Sequence, residues 1–212
     1  MFKELLDYED EFHLLYLGKL TKREGWKNVR EHGVTQLLGA KVLGALLGLT
    51  DGERRALESV AIIHDWEKRL DNFPDDFSPA EKEKIELYYK KIKPDERLMA
   101  ATGPDFLEKV LYAEVSILEF LQFYLDDITM GSEIVPFDKR IEEVSTRKQY
   151  LNDDGDLTQR LGGRKYWELE MEVGHLVENM IFDSLKARGV EIGSPKDIPY
   201  LIKNKIIELS NV

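Results

Sequence analysis

Apolar residues return at the three- and four-residue steps of a helix along nearly the whole chain. Val34, Leu37, Leu38, Val42, Ala45 and Leu46 follow that rhythm, and Gly39, Ala40, Gly44 and Gly48 lie between them. Such small residues suit the close approach of a neighbouring helix. Thr50-Asp51-Gly52-Glu53 has the spacing of a capping box, with a hydroxyl at the N-cap and a glutamate three residues on. It opens a second helix through Ala56, Val60, Ile63 and His64. Ser78-Pro79-Ala80-Glu81 is another start signal, with proline in the first helical position. From about Asp105 the pattern predicts one long helix carrying Leu107, Val110, Leu111, Leu118, Leu121 and Leu125 on one face. Gly131 and Pro136 break the rhythm before a charged helix from Asp138 to about Tyr150, and Asn152 to Asp156 reads as a turn. Helices from about Arg164 to Arg188 and from Ser194-Pro195 close the sequence. No stretch alternates long enough to predict a strand. The expected fold class is all-α: a helical domain over residues 1–150, with a helical extension over 151–212 packed on it.

Composition narrows the chemistry. A chain of 212 residues can bury a sizeable core. Its 41 acids against 30 bases leave a net charge of −11, which argues against a nucleic-acid polymer or an anionic membrane as partner. Cysteine is absent, so thiolate zinc sites, iron–sulfur clusters, disulfides and cysteine nucleophiles are all excluded. The first twelve residues are acidic and lack the basic-then-apolar order of a secretory signal. The most apolar stretch, Val34 to Thr50, is short for a bilayer and carries Lys41 in its middle, so it reads as a buried helix. A cytoplasmic location is expected. Histidine occurs only four times, and any metal site must draw on those four and the surplus carboxylates.

Two of the four are placed to meet. If the first two helices form an antiparallel hairpin about Thr50, His32 lies 18 residues before the turn and His64 lies 14 after it. At about 1.5 Å per residue those are roughly 27 and 21 Å along the two axes, so both imidazoles fall at the same end. With Asp65 beside His64 they offer two imidazoles and a carboxylate, donors suited to a divalent transition metal. A fourth ligand should come from another helix end, and Asp126, closing the long apolar helix, is the candidate. His13 and His175 have no such partners and read as structural. Glu168, Glu170 and Glu172 read together as a solvated helix face, and Trp66 as packing.

His32, then His64-Asp65, then Asp126 resembles the H…HD…D signature of the HD-domain superfamily of metal-dependent phosphohydrolases. His64-Asp65-Trp66-Glu67-Lys68 is similar to that family's HDxxK. Leu125-Asp126 followed by Ile134-Val135-Pro136-Phe137-Asp138-Lys139-Arg140 resembles a stretch of its small members, in a register that selects Asp126 over Asp127. Arg23-Glu24-Gly25-Trp26, running on to Glu31-His32, is similar to a segment of HD nucleotidases. The resemblance spans about residues 20 to 150 and implies an HD-type helical bundle with additional C-terminal helices. It implies metal ligation by His32, His64, Asp65 and Asp126. The interval between Asp65 and Asp126 contains no histidine, so the chain resembles the mononuclear branch, with one divalent ion.

The activity so implied is hydrolysis of a phosphomonoester on a small phosphorylated metabolite, a nucleotide monophosphate being the expected one. The alternative is a catalytically silent HD module that binds metal and a nucleotide or protein partner. Lys68 would face the phosphate, and Glu67 or Asp127 would orient the attacking water. Between residues 19 and 30, five cations (Lys19, Lys22, Arg23, Lys27 and Arg30) stand against one acid, Glu24, and of these Arg23, Lys27 and Arg30 are the expected substrate contacts. Manganese, cobalt, nickel, iron, zinc and magnesium all remain open as the ion, and self-association is likewise left open.

Overall fold

Three Ser/Thr-x-x-Glu sequences start helices in the computed structural model, which describes residues 6–19, 28–67, 75, 77–146 and 155–210. The Thr50 hydroxyl accepts from the Glu53 backbone N–H at 3.3 Å, while the Glu53 carboxylate accepts from the Thr50 N–H at 2.8 Å. Ser78 and Glu81 repeat the pair. Ser116 and Glu119 form a third box, and it corrects the sequence expectation of one long helix beyond Asp105. The helix stops at Tyr112, Ala113 is extended, and a new helix begins at Ile117. The apolar spacing runs on across residues 113 to 116, but Ser116 takes up the orphan N–H of Glu119 and fixes a fresh N-terminus there. The buried Glu119 carboxylate also pairs with Lys109 from the preceding helix, which clasps the break.

The helices run α1 (Glu9–Lys19), α2 (Asn28–Leu46), α3 (Asp51–Ile63), α4 (Pro79–Ile92), α5 (Glu96–Met99), α6 (Gly103–Tyr112) and α7 (Ile117–Asp127). A hairpin of two short strands, β1 (Thr129–Met130) and β2 (Glu133–Ile134), follows. Then come α8 (Phe137–Ser145), α9 (Gly155–Arg160), α10 (Tyr166–Ala187) and α11 (Ile198–Ser210). The all-α class stands, and the hairpin is the one departure from it among the described residues. Two paired residues per strand are too few to show alternation in sequence, so the hairpin had no pattern to announce it. The expected end of α8 at Tyr150 and most of the Asn152–Asp156 turn lie outside the described residues.

The α2–α3 hairpin is the frame of the molecule. Gly33 is pressed against the backbone of α3: a Cβ there would stand 2.5 Å from the carbonyl oxygen of Ile62. The two helices therefore touch main chain to main chain beside His32 and His64. On one side Leu43, Leu57 and Leu121 join Val177, Ile181 and Ile202 in a single apolar core, so α10 and α11 close the same interior as α2, α3 and α7. On the other, Leu14, Leu15, Leu37, Ile63, Trp66 and Ile85 form a smaller cluster under α1 and α4. Among the described residues no helix is long and apolar enough to cross a membrane.

Candidate metal centre

His32 projects from the first turns of α2, His64 caps the C-terminus of α3, and Asp126 sits in the last turn of α7. Three helix ends thus deliver three side chains to one point. His32 Nε2 lies 3.2 Å from His64 Nε2 and 3.0 Å from Asp126 Oδ1, and His64 Nε2 lies 3.3 Å from the same oxygen. His32 is 6% exposed. The Nδ1 of His64 is 3.2 Å from the Ala61 carbonyl, to which it donates; this leaves the Nε2 lone pair facing the cluster. Burial alone would raise the Asp126 carboxyl, but the charges and hydrogen bonds of the two imidazoles outweigh it and hold the group well below the ordinary carboxylate range. Two imidazole nitrogens and an ionised carboxylate oxygen within hydrogen-bond distance of one another are a group that could hold a metal ion.

The other residues expected at the site are distributed around this cluster. Asp65 stands at its edge, 3.6 Å from His64 Nε2 and 4.0 Å from His32 Nε2. Glu67 is exposed in the turn after α3, close enough to Tyr89 to influence its hydroxyl. Arg30 is exposed on the first turn of α2, two residues before His32. Lys68, Arg23 and Lys27 lie outside the described residues. Trp66 is buried and packs on Tyr89, as expected of a packing residue. His175 pairs with Asp138 at 2.6 Å, and His13 stacks on Tyr88, both away from the cluster.

Asp127, one of the two residues expected to orient water, faces Glu170 of α10. Glu170 is 3% exposed, which corrects its reading as part of a solvated face. On a helix residues four apart share a side, so Glu168 and Glu172 lie together while Glu170 points nearly the opposite way. Burial raises both carboxyls. Asp127 goes well above its ordinary value, driven further by Glu170 and Asp126, and Glu170 is pushed up to about 8. Arg140 approaches the pair from α8, and its Nε, Asp127 Oδ2 and Glu170 Oε2 are all buried without a hydrogen-bond partner.

Gln36 was not anticipated at all. It is fully buried, and its side-chain nitrogen lies 3.0 Å from both His32 Nε2 and Asp126 Oδ1. Its spacing four residues after His32 was the available signal, because that interval returns to the same helix face. Behind it Gln122, four residues before Asp126, donates to the Gln36 carbonyl oxygen at 3.4 Å. Comparison with known proteins adds no relative: no protein-family model, no curated protein and no solved structure matches the chain.

Proposed function

We propose that this chain is a metal-dependent phosphohydrolase of the mononuclear HD type, cleaving a phosphomonoester on a small phosphorylated metabolite such as a nucleotide monophosphate. The observation that carries the reading is the convergence of His32, His64 and Asp126, separated by 32 and 62 residues in sequence, on one partly buried point. Their donor atoms fit a divalent ion: two imidazole nitrogens and one carboxylate oxygen. A bound divalent cation supplies acidification of water and polarisation of a phosphoryl oxygen. His32, His64 and Asp126 would hold it, with Asp65 at the edge. Glu67 is the proposed water-orienting residue, Arg30 the described cation nearest the histidines in sequence, and Lys68, Arg23 and Lys27 the further proposed phosphate contacts.

A specific observation favours the second reading, a metal-binding module without turnover. Asp127 faces Glu170 of α10 instead of open solvent, and burial with the neighbouring acids raises its carboxyl above the ordinary range. Phosphate release from a panel of nucleotide monophosphates and sugar phosphates, with manganese, cobalt and zinc in turn, separates the two. The enzyme reading expects release that chelator abolishes and that falls at least about a hundredfold in His64→Ala, the size expected when a principal catalytic contributor is lost. Metal-loaded wild-type protein inert on the whole panel sinks the enzyme in favour of the module.

A further inference from the structure

Gln36 lies one helical turn beyond His32 on α2 and is fully buried, so it meets the cluster from the interior of the molecule. Its Nε2 stands 3.0 Å from His32 Nε2, 3.0 Å from Asp126 Oδ1 and 3.4 Å from His64 Nε2. Those three candidate ligand atoms are 3.2, 3.0 and 3.3 Å apart, and the amide nitrogen covers one face of the triangle they form. The amide has a direction. Gln36 Oε1 accepts from Gln122 Nε2 at 3.4 Å, which leaves the N–H end for the cluster. One N–H donates to Asp126 Oδ1, and the other is within reach of the His32 Nε2 lone pair.

An ion bonded to all three atoms at about 2.1 Å lies roughly 1 Å off their plane, on one face or the other. On the face that Gln36 covers it would come within roughly 1.5 Å of the amide nitrogen, where an N–H group cannot accept a cation. On the opposite face the separation is roughly 3.5 Å, an ordinary contact with a group outside the coordination sphere. We propose that Gln36 is a positioning residue for the metal centre. By donating to Asp126 Oδ1 it fixes that carboxylate, and by covering the inner face it sends the ion to the open one. The inference rests on reading the His32–His64–Asp126 cluster as a metal centre. Asp126 Oδ1 serves both partners, because a carboxylate oxygen has one lone pair for the N–H and another for the ion. The open face keeps Asp65 as a further ligand from the edge of the cluster, where it stands 3.6 and 4.0 Å from the histidine nitrogens. It also keeps positions for the water that the proposed hydrolysis needs.

Cobalt(II) titration followed by visible absorption tests this without reference to turnover, because the band reports the atoms bonded to the ion and the titration reports affinity. Gln36→Met keeps the length and volume of the side chain and removes the N–H donor. It is expected to bind cobalt at least about tenfold more weakly than wild type, the loss usual for a partner that orients a ligand, with the wild-type band retained. Affinity within about twofold of wild type overturns the proposal, since a residue that only fills space is replaced without that loss. A changed band overturns it too, because Gln36 would then belong to the ion's inner coordination. Should Gln36→Met fail to fold, Gln122→Met decides: it leaves Gln36 in place and removes the donor that orients its amide. Weaker cobalt binding with the wild-type band is expected there, and unaltered affinity overturns the proposal. Asp65→Ala tests the face. It is expected to change the band, and an unchanged band overturns the placement of the ion on the open side. His64→Ala keeps the two readings distinct. If it loses cobalt while Gln36→Met binds as wild type does, the metal centre survives and only the role of Gln36 falls. If His64→Ala binds cobalt as wild type does, or the wild type takes up none, the centre itself is elsewhere or absent and both fall.

Discussion

Glu170 lies on the inner side of α10, where its carboxyl meets Asp127 and very little water. The unfolded chain titrates such a group near the ordinary value of about 4.3, and the folded protein titrates it at about 8. Between those values the folded state keeps a proton that the unfolded state has released, so stability falls as pH rises through the window. Asp127, raised by the same burial, acts in the same direction. Metal-free protein is therefore expected to melt at a lower temperature at pH 8.5 than at pH 5.5. Glu170→Gln keeps the shape, removes the titration and should reduce that slope; a variant with the full wild-type slope contradicts the buried acid pair. This acid and Gln36 were hidden for the same reason. A glutamate or glutamine read singly is a surface residue. Only its angular position relative to Glu168 and Glu172, or to His32, reveals that it faces inward.

At the scale of elements, the site depends on how closely α2 and α3 approach. With Gly33 against the Ile62 carbonyl, a methyl group cannot be added without moving one helix. Gly33→Ala is expected to cost about 1–3 kcal/mol through overpacking and to weaken cobalt binding, because separating the helices separates His32 from His64. Gly52, also helical but with nothing within 4 Å of an added Cβ, is the control. Gly52→Ala should be neutral or stabilising by up to about 1 kcal/mol and leave cobalt binding unchanged. Equal losses in both variants, by melting and by titration, would show that the close approach is not what holds the histidines. The helix starts were legible because capping boxes are local: Thr50 and Ser78 announce themselves in four residues each. Ser116 carried the same signal, masked by apolar spacing that continued across the break.

The candidate ligands come from helices far apart in the chain, and the unfolded chain does not bring them together. An ion that binds only the folded form raises stability by mass action, about 2.7 kcal/mol at a hundredfold excess over its dissociation constant. The melting temperature is expected to climb with added cobalt, manganese or zinc and to stay fixed in His64→Ala. A wild-type protein indifferent to all three speaks against the centre. The end-matching of the two histidines could be read from residue counts, since a hairpin converts sequence distance into height. The packing of α10 on α7, which sets Glu170 against Asp127, could not, because no periodicity says which helices become neighbours.

The contact between Gly33 and Ile62 has a consequence for how this chain can vary. A ligand position tolerates the few residues that bind the same ion, but position 33 asks for the absence of a side chain, and glycine alone meets that. His32 and Gly33 are therefore linked: a substitution at either is expected to disturb the same His32–His64–Asp126 cluster. A mutational map of this helix would show intolerance at a residue that donates nothing, touches no substrate and carries no charge.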